Sequence, residues 1–111
     1  MIEQIVIDYL SSKLGIPVYA EMPEKASPKL LIVEKTGSSR TDYVESATIA
    51  IQSYAPTLFG ASLLNNDVKN AMEDIIQLSN ISECSLNSDY NYTDTLTKRY
   101  RYQAVFNITI N

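Results

Sequence analysis

The chain has 111 residues, 13 of them acidic and 9 basic, giving a net charge of −4 and a sequence pI of about 4.6. The acidic sign excludes a protein whose main task is gripping nucleic acid through a basic surface, while 45% hydrophobic and 20% charged residues are an ordinary globular balance. One cysteine, Cys84, and no histidine exclude an internal disulfide framework, a Cys/His zinc site and the commonest general base near neutral pH.

Ile2, Ile5, Val6, Tyr9, Leu10 and Leu14 (or Lys13) recur at helical spacing and predict a first amphipathic helix. Gly15 and Pro17 stop it, one able to take a left-handed cap and the other forbidding continuation. Glu3 and Asp8 interrupt the apolar residues, so this start is not expected to act as a signal peptide. No stretch approaches the roughly 20 apolar residues that span a bilayer, so cytoplasmic synthesis and no membrane partner are expected.

Pro17 to Glu21 reads as a short strand, and Met22 to Pro28, with two prolines, as a loop. Lys29 to Lys35 reads as a strand with Leu30 and Ile32 on one face and Leu31 and Val33 on the other, so it is central or covered on both sides. Thr36 to Asp42 is polar and turn-rich, too long for a tight two-residue turn, and predicts a hairpin tip projecting beyond the core. From Tyr43 the alternation resumes and runs into Ala47–Tyr54, where Ala47, Ile49 and Ile51 share a face.

Pro56 ends the pairing and Thr57 offers a helix cap. Leu58, Ala61, Leu64 (or Leu63), Val68, Ala71, Met72, Ile75 and Ile76 form the apolar stripe of a long helix to Leu78. Asn65, Asn66, Lys69, Asn70, Glu73, Asp74 and Gln77 fall opposite, with Lys69 and Glu73 one turn apart and able to pair. Ile81 to Leu86 reads as a short strand and Asn87 to Thr95 as a polar bend. The last strand puts Tyr100, Tyr102, Ala104, Phe106, Ile108 and Ile110 on one face and Arg99, Arg101, Gln103, Val105, Asn107 and Thr109 on the other.

Together these elements predict an α+β fold, one domain over residues 1–111, in the order α-β-β-β-α-β-β. About five mostly antiparallel strands would carry both helices on one face. Ile49, Ile51, Val68, Met72, Ile75, Phe106 and Ile108 are expected in the core. The other face, with Arg99, Arg101, Gln103, Thr48 and Gln52, would stay open.

No constellation carries chemistry. Asp89-Tyr-Asn91-Tyr-Thr93 imitates the start of a calcium loop, but Asp94 stands where the turn needs glycine and Tyr100 where it needs a bidentate carboxylate. In Lys98-Arg99-Tyr100-Arg101-Tyr102 the strand period sends tyrosines and arginines to opposite faces, so it is not the mixed basic-aromatic surface of a single-strand binder. Glu21 and Glu24, Asp42 and Glu45, and Glu73 and Asp74 suggest no paired acid/base. Cys84 on an apolar strand face reads as an inert thiol. No catalysis, no metal and no cofactor are expected.

The run Ser53-Tyr54-Ala55-Pro56-Thr57-Leu58-Phe59-Gly60-Ala61, followed by Val68, Ala71 and Met72, resembles the strand-to-helix corner of small tail-component proteins of long-tailed bacteriophages. The closing strand Arg99 to Thr109 resembles their usual ending, and the length and element order resemble the tail-terminator group. That resemblance implies a structural virion protein that caps the tail tube as a ring, typically of six subunits, and joins tail to head. Its partners would be copies of itself, the tail-tube protein and a head-completion protein, with DNA only passing through the lumen. A mildly negative wall suits such a channel, since it forms no ion pairs with phosphates. A head-completion or neck protein and, in a different class, a small-ligand-binding α+β domain are the alternatives. The residues expected at a subunit interface are Ser38, Ser39, Arg40, Asp42, Tyr43 and Val44 on the hairpin, docking on Arg99 and Arg101 of the next subunit.

Overall fold

A computed structural model describes all residues, 1–111. Helix α1 (Ile2–Leu14) buries Ile2, Val6 and Leu10 and ends at Gly15, whose φ of 66° is left-handed and whose amide donates to the Ser11 carbonyl. Strand β1 is only Val18–Tyr19. Strands β2 (Leu30–Thr41) and β3 (Val44–Tyr54) form a long hairpin. Helix α2 (Leu58–Glu73) passes into one 3-10 turn (Ile75–Gln77), and β4 (Ile81–Asn91) and β5 (Arg101–Ile110) close the chain. The sheet order is β1-β2-β3-β5-β4, antiparallel except where β1 meets β2. The parallel pair departs from the antiparallel expectation because residues 20–29 carry the chain back to the end where β1 began.

Both helices lie on one face of the sheet, the only arrangement that buries both apolar stripes together. Ile49, Ile51, Val68, Met72, Ile75, Phe106 and Ile108 all sit in the main core, as their periods predict. α2 starts where Thr57, in extended backbone, accepts from the Gly60 amide at 3.0 Å, a cap of about 1 kcal/mol. A side chain at Gly60 would meet Thr57 Oγ1 at 3.0 Å and the Ala55 methyl at 3.2 Å, so the capping corner packs tightly against this glycine.

Several expectations need correcting. The apolar stripe of α2 excludes Leu58 and Ile76, which are exposed, while Leu64 faces the core as expected and the alternative Leu63 does not. The helix stops at Glu73 rather than Leu78 because the backbone tightens into the 3-10 turn that swings Ile75 inward. Strand β4 runs through Asn91 instead of ending at Leu86, since its polar half pairs with β5 as far as Tyr102. Tyr100 and Tyr102 are half-buried at the rim rather than in the core.

The hairpin also differs from expectation. Residues 36–41 are strand, paired to β3 as far as Thr41 opposite Val44, with one register shift between Lys35 and Gly37. Only Asp42 and Tyr43 form the turn, at φ 50° and 67°, the doubly positive pattern of a tight two-residue hairpin turn. The arm therefore projects as paired strand rather than as a long loop.

Candidate functional site

Two places stand out, one at each end of β3. At the upper end, every residue from Glu34 to Val44 is exposed. Ser38, Ser39, Arg40, Asp42, Tyr43 and Val44 all lie on this arm, and Tyr43 projects wholly into solvent. Arg40 pairs with Glu45 on the facing strand at 3.2 Å, and most of its side chain stays in solvent. Asp42 has no ion-pair or side-chain hydrogen-bond partner. β1 covers only Leu31 and Ile32, so the outer edge of β2 from Val33 to Thr41 is unpaired, a row of backbone groups able to accept another strand.

At the lower end, the face expected to be open is partly covered. Leu30, Ile32 and Tyr54 form a small second core against Tyr19 and Met22. Arg101 is fully engaged: its Nε donates to the Tyr92 carbonyl at 2.6 Å and its Nη1 to the Tyr54 hydroxyl at 2.7 Å. The guanidinium also stacks on the Tyr92 ring at 4.4 Å. Arg101 thus clamps β3 to the bend before β5. Arg99 differs. It lies over Tyr54 at 5.5 Å, and its one polar contact is Met22 Sδ at 3.4 Å, a weak acceptor. Above the small core, the Gln52 amide donates to Gln103, whose own amide donates to the Tyr90 hydroxyl.

Between these ends, Asp89 joins β4 to α2. One of its oxygens accepts from Lys69 Nζ and from Asn65 Nδ2, both at 2.9 Å. The Lys69 hydrogen bond, chiefly, holds its carboxyl below the usual range. This corrects two sequence expectations: Lys69 pairs with Asp89 rather than Glu73, and Asn65 is buried rather than solvated. It also gives Asp89, the first residue of the calcium-loop imitation, a structural role. Burial pushes the Cys84 thiol up to about 11, keeping it protonated and unreactive near neutral pH. Burial, helped by Asp74 and Cys84, likewise raises Tyr9, whose hydroxyl donates to the Ala71 carbonyl at 2.6 Å and ties the two helices.

Two further groups lie at the surface. Phe59 and Leu63, one helical turn apart, form an exposed apolar ridge at the start of α2; the available signal is that both fall off the buried stripe. Lys98 stands beside Arg99 at φ 54°, in a loop ordered by Asp94. Thr97 and the Leu96 amide hold the Asp94 carboxyl below its ordinary value.

The arrangement offers a projecting arm, a free strand edge and a basic, aromatic opposite end. Compared with protein-family models and with curated proteins, the chain matches none.

Proposed function

We propose that this protein is an assembly subunit of a phage tail. Like a tail terminator, it would form a ring, typically of six copies, that caps the tail tube and joins it to the head. The tail-tube protein and a head-completion protein are its neighbours, DNA passes through the lumen, and the protein carries out no catalysis. The phage assignment rests on the sequence resemblance of the Ser53–Met72 corner and the closing strand.

The observation that carries the assembly role is the arm. Eight successive exposed residues, Glu34 to Thr41, are held in strand geometry and lead into a turn whose second residue, Tyr43, is fully exposed at positive φ. A non-glycine aromatic in left-handed backbone costs on the order of 1–2 kcal/mol. Within one chain the tight turn needs that backbone, yet glycine would adopt it freely, and the wholly exposed ring makes no contact that offsets the difference. Burial of Tyr43 and Val44 against another subunit, with strand pairing along the free edge of β2, would offset it. The Arg40–Glu45 pair, on an exposed rim, contributes about 0–1 kcal/mol and stiffens the arm rather than driving association.

The test is a shortened hairpin in which Ser39–Ser46 is replaced by Asn-Gly, leaving Ser38 paired with Ala47. Light scattering and electron microscopy of the intact protein should show rings, and the shortened protein should remain folded but monomeric. Rings of unchanged size after shortening would refute the arm as the connector.

A further inference from the structure

We propose that a hollow at the lower end of the sheet is the seat for the hairpin tip, Asp42-Tyr43, of a second copy of this chain. The proposal rests on the hairpin being the subunit connector and names what it connects to. The hollow has a volume of about 280 Å³, walled by Pro28, Pro56 and Tyr54, with Lys98, Arg99 and Ser27 at its polar side. No aspartate or glutamate lines it.

The chemistries of tip and hollow match. Lys98 makes no ion pair, and Arg99 spends its donors only on a thioether. Asp42 is the unpartnered carboxylate of the tip, since Glu45 already holds Arg40. Tyr43 is the wholly exposed ring beside it. An acid followed by an aromatic side chain thus meets two cations beside proline and tyrosine walls. An aromatic anchor entering a small pocket is the usual form of an interface hot spot.

Backbone strain points to the same two places. The non-glycine residues with positive φ are Asp42, Tyr43 and Lys98. All three belong to the proposed contact, and strain of this kind concentrates at functional sites.

The tip cannot reach the hollow of its own chain. They lie at opposite ends of the 11-residue strand β3, about 35 Å apart at 3.2–3.4 Å per residue. Contact between two tips would bring Asp42 carboxylates together, so a symmetric pair is disfavoured. Tip-to-hollow contact is head-to-tail, and such an interface repeats until it closes a ring or grows a filament.

The experiment measures the mass of the full-length protein by light scattering over a concentration series, with circular dichroism checking the fold. The proteins are wild type, Asp42→Lys, Lys98→Asp and the double swap. Aspartate tolerates left-handed backbone better than lysine, so Lys98→Asp is not expected to harm the loop. If Asp42→Lys unfolds, Asp42→Asn, which suits the turn, replaces it as a single variant, and Asp42→Arg with Lys98→Asp serves as the swap. Each single reversal should weaken association about tenfold or more, and the double swap should recover most of it. Single reversals that assemble like wild type, while the shortened hairpin does not assemble, would overturn this seat and leave the connector standing. Loss without recovery in the swap would overturn the Asp42–Lys98 contact. A wild type that stays monomeric at every concentration would overturn both proposals.

Discussion

The two halves of the β2–β3 hairpin are one continuous ladder, yet they are held by different forces. In the lower half, Leu30, Leu31, Ile32 and Val33 face Tyr54, Ser53, Gln52 and Ile51, and all four β2 residues are buried, two under the helices and two under the small second core. In the upper half, Glu34 to Thr41 resume the pairing across the register shift between Lys35 and Gly37 with their own side chains in solvent, while their β3 partners Ala50, Ile49 and Ala47 are still buried. Side-chain burial on both strands holds the first half, burial on β3 alone continues to Ala47, and beyond it backbone pairing holds the arm. A strand extended beyond its burial gains little stability for its own chain, which is why the upper half is the place to look for a use outside it.

The sharpest test sets a deletion of side-chain volume in the core beneath the sheet against one on the exposed arm. Phe106 lies opposite Ile49 on β5 and is almost fully buried under α2. Phe106→Ala should cost about 3–5 kcal/mol, and Val68→Ala, on the facing helix, more than about 1 kcal/mol. Ser38→Ala or Ser39→Ala on the arm should stay within about 0.5 kcal/mol. Urea melts of the four proteins measure this directly. A comparable loss from the arm substitutions would mean that the upper half carries folding energy after all.

An intermediate effect is expected where α2 meets β4. Asp89→Ala removes the acceptor for the buried Asn65 amide and the partner of Lys69, and should cost about 1–3 kcal/mol. The carboxyl is held below its ordinary value in the fold. Its contribution is therefore complete above the ordinary aspartate range and is lost as pH falls through the folded value, below about pH 4. Asp89→Asn should flatten that acid-side loss relative to wild type. Melts near pH 7 and pH 3 showing the same slope for both proteins would remove the network from the account.

The sequence speaks clearly where burial repeats with a fixed period. The seven expected core residues lie where strand and helix periods converge, and both helix boundaries near Gly15 and Thr57 follow from local capping chemistry. It misleads where pairing overrides composition. Asn87–Asn91 reads as a bend from its Asn, Ser and Asp residues, but pairing with β5 holds it extended. Register shifts between Ile81 and Glu83 and between Leu86 and Ser88 also break the alternation that would mark a strand. The turn is hidden for a related reason: Asp-Tyr is a poor sequence for two positive φ angles, so nothing local announces it. Asn65 is misread, and the bonds of Arg101 are not legible, because their partners lie 24 and 47 residues away, at Asp89 and Tyr54. Of the candidate interface, the arm residues are legible as polar sequence outside the core period. The hollow is not, because three separated segments build it.

A small expected effect on stability is also the most informative, because its sign opposes that on assembly. Tyr43 occupies the second position of the turn at φ 67°. Glycine adopts that backbone freely, and Asp-Gly is a preferred sequence for such turns. The exposed ring makes no contact that glycine would forfeit within the chain. Tyr43→Gly should therefore stabilise the isolated fold, by about 1 kcal/mol or less once the extra freedom of glycine in the unfolded chain is counted. A residue kept only for the turn would show that gain and nothing else. If Tyr43 is instead the anchor of the next subunit, the same substitution raises the melting midpoint at low concentration while lowering the mass seen by light scattering at high concentration. A rise in both, or a fall in the midpoint, would break the link between strain at the tip and its use in assembly.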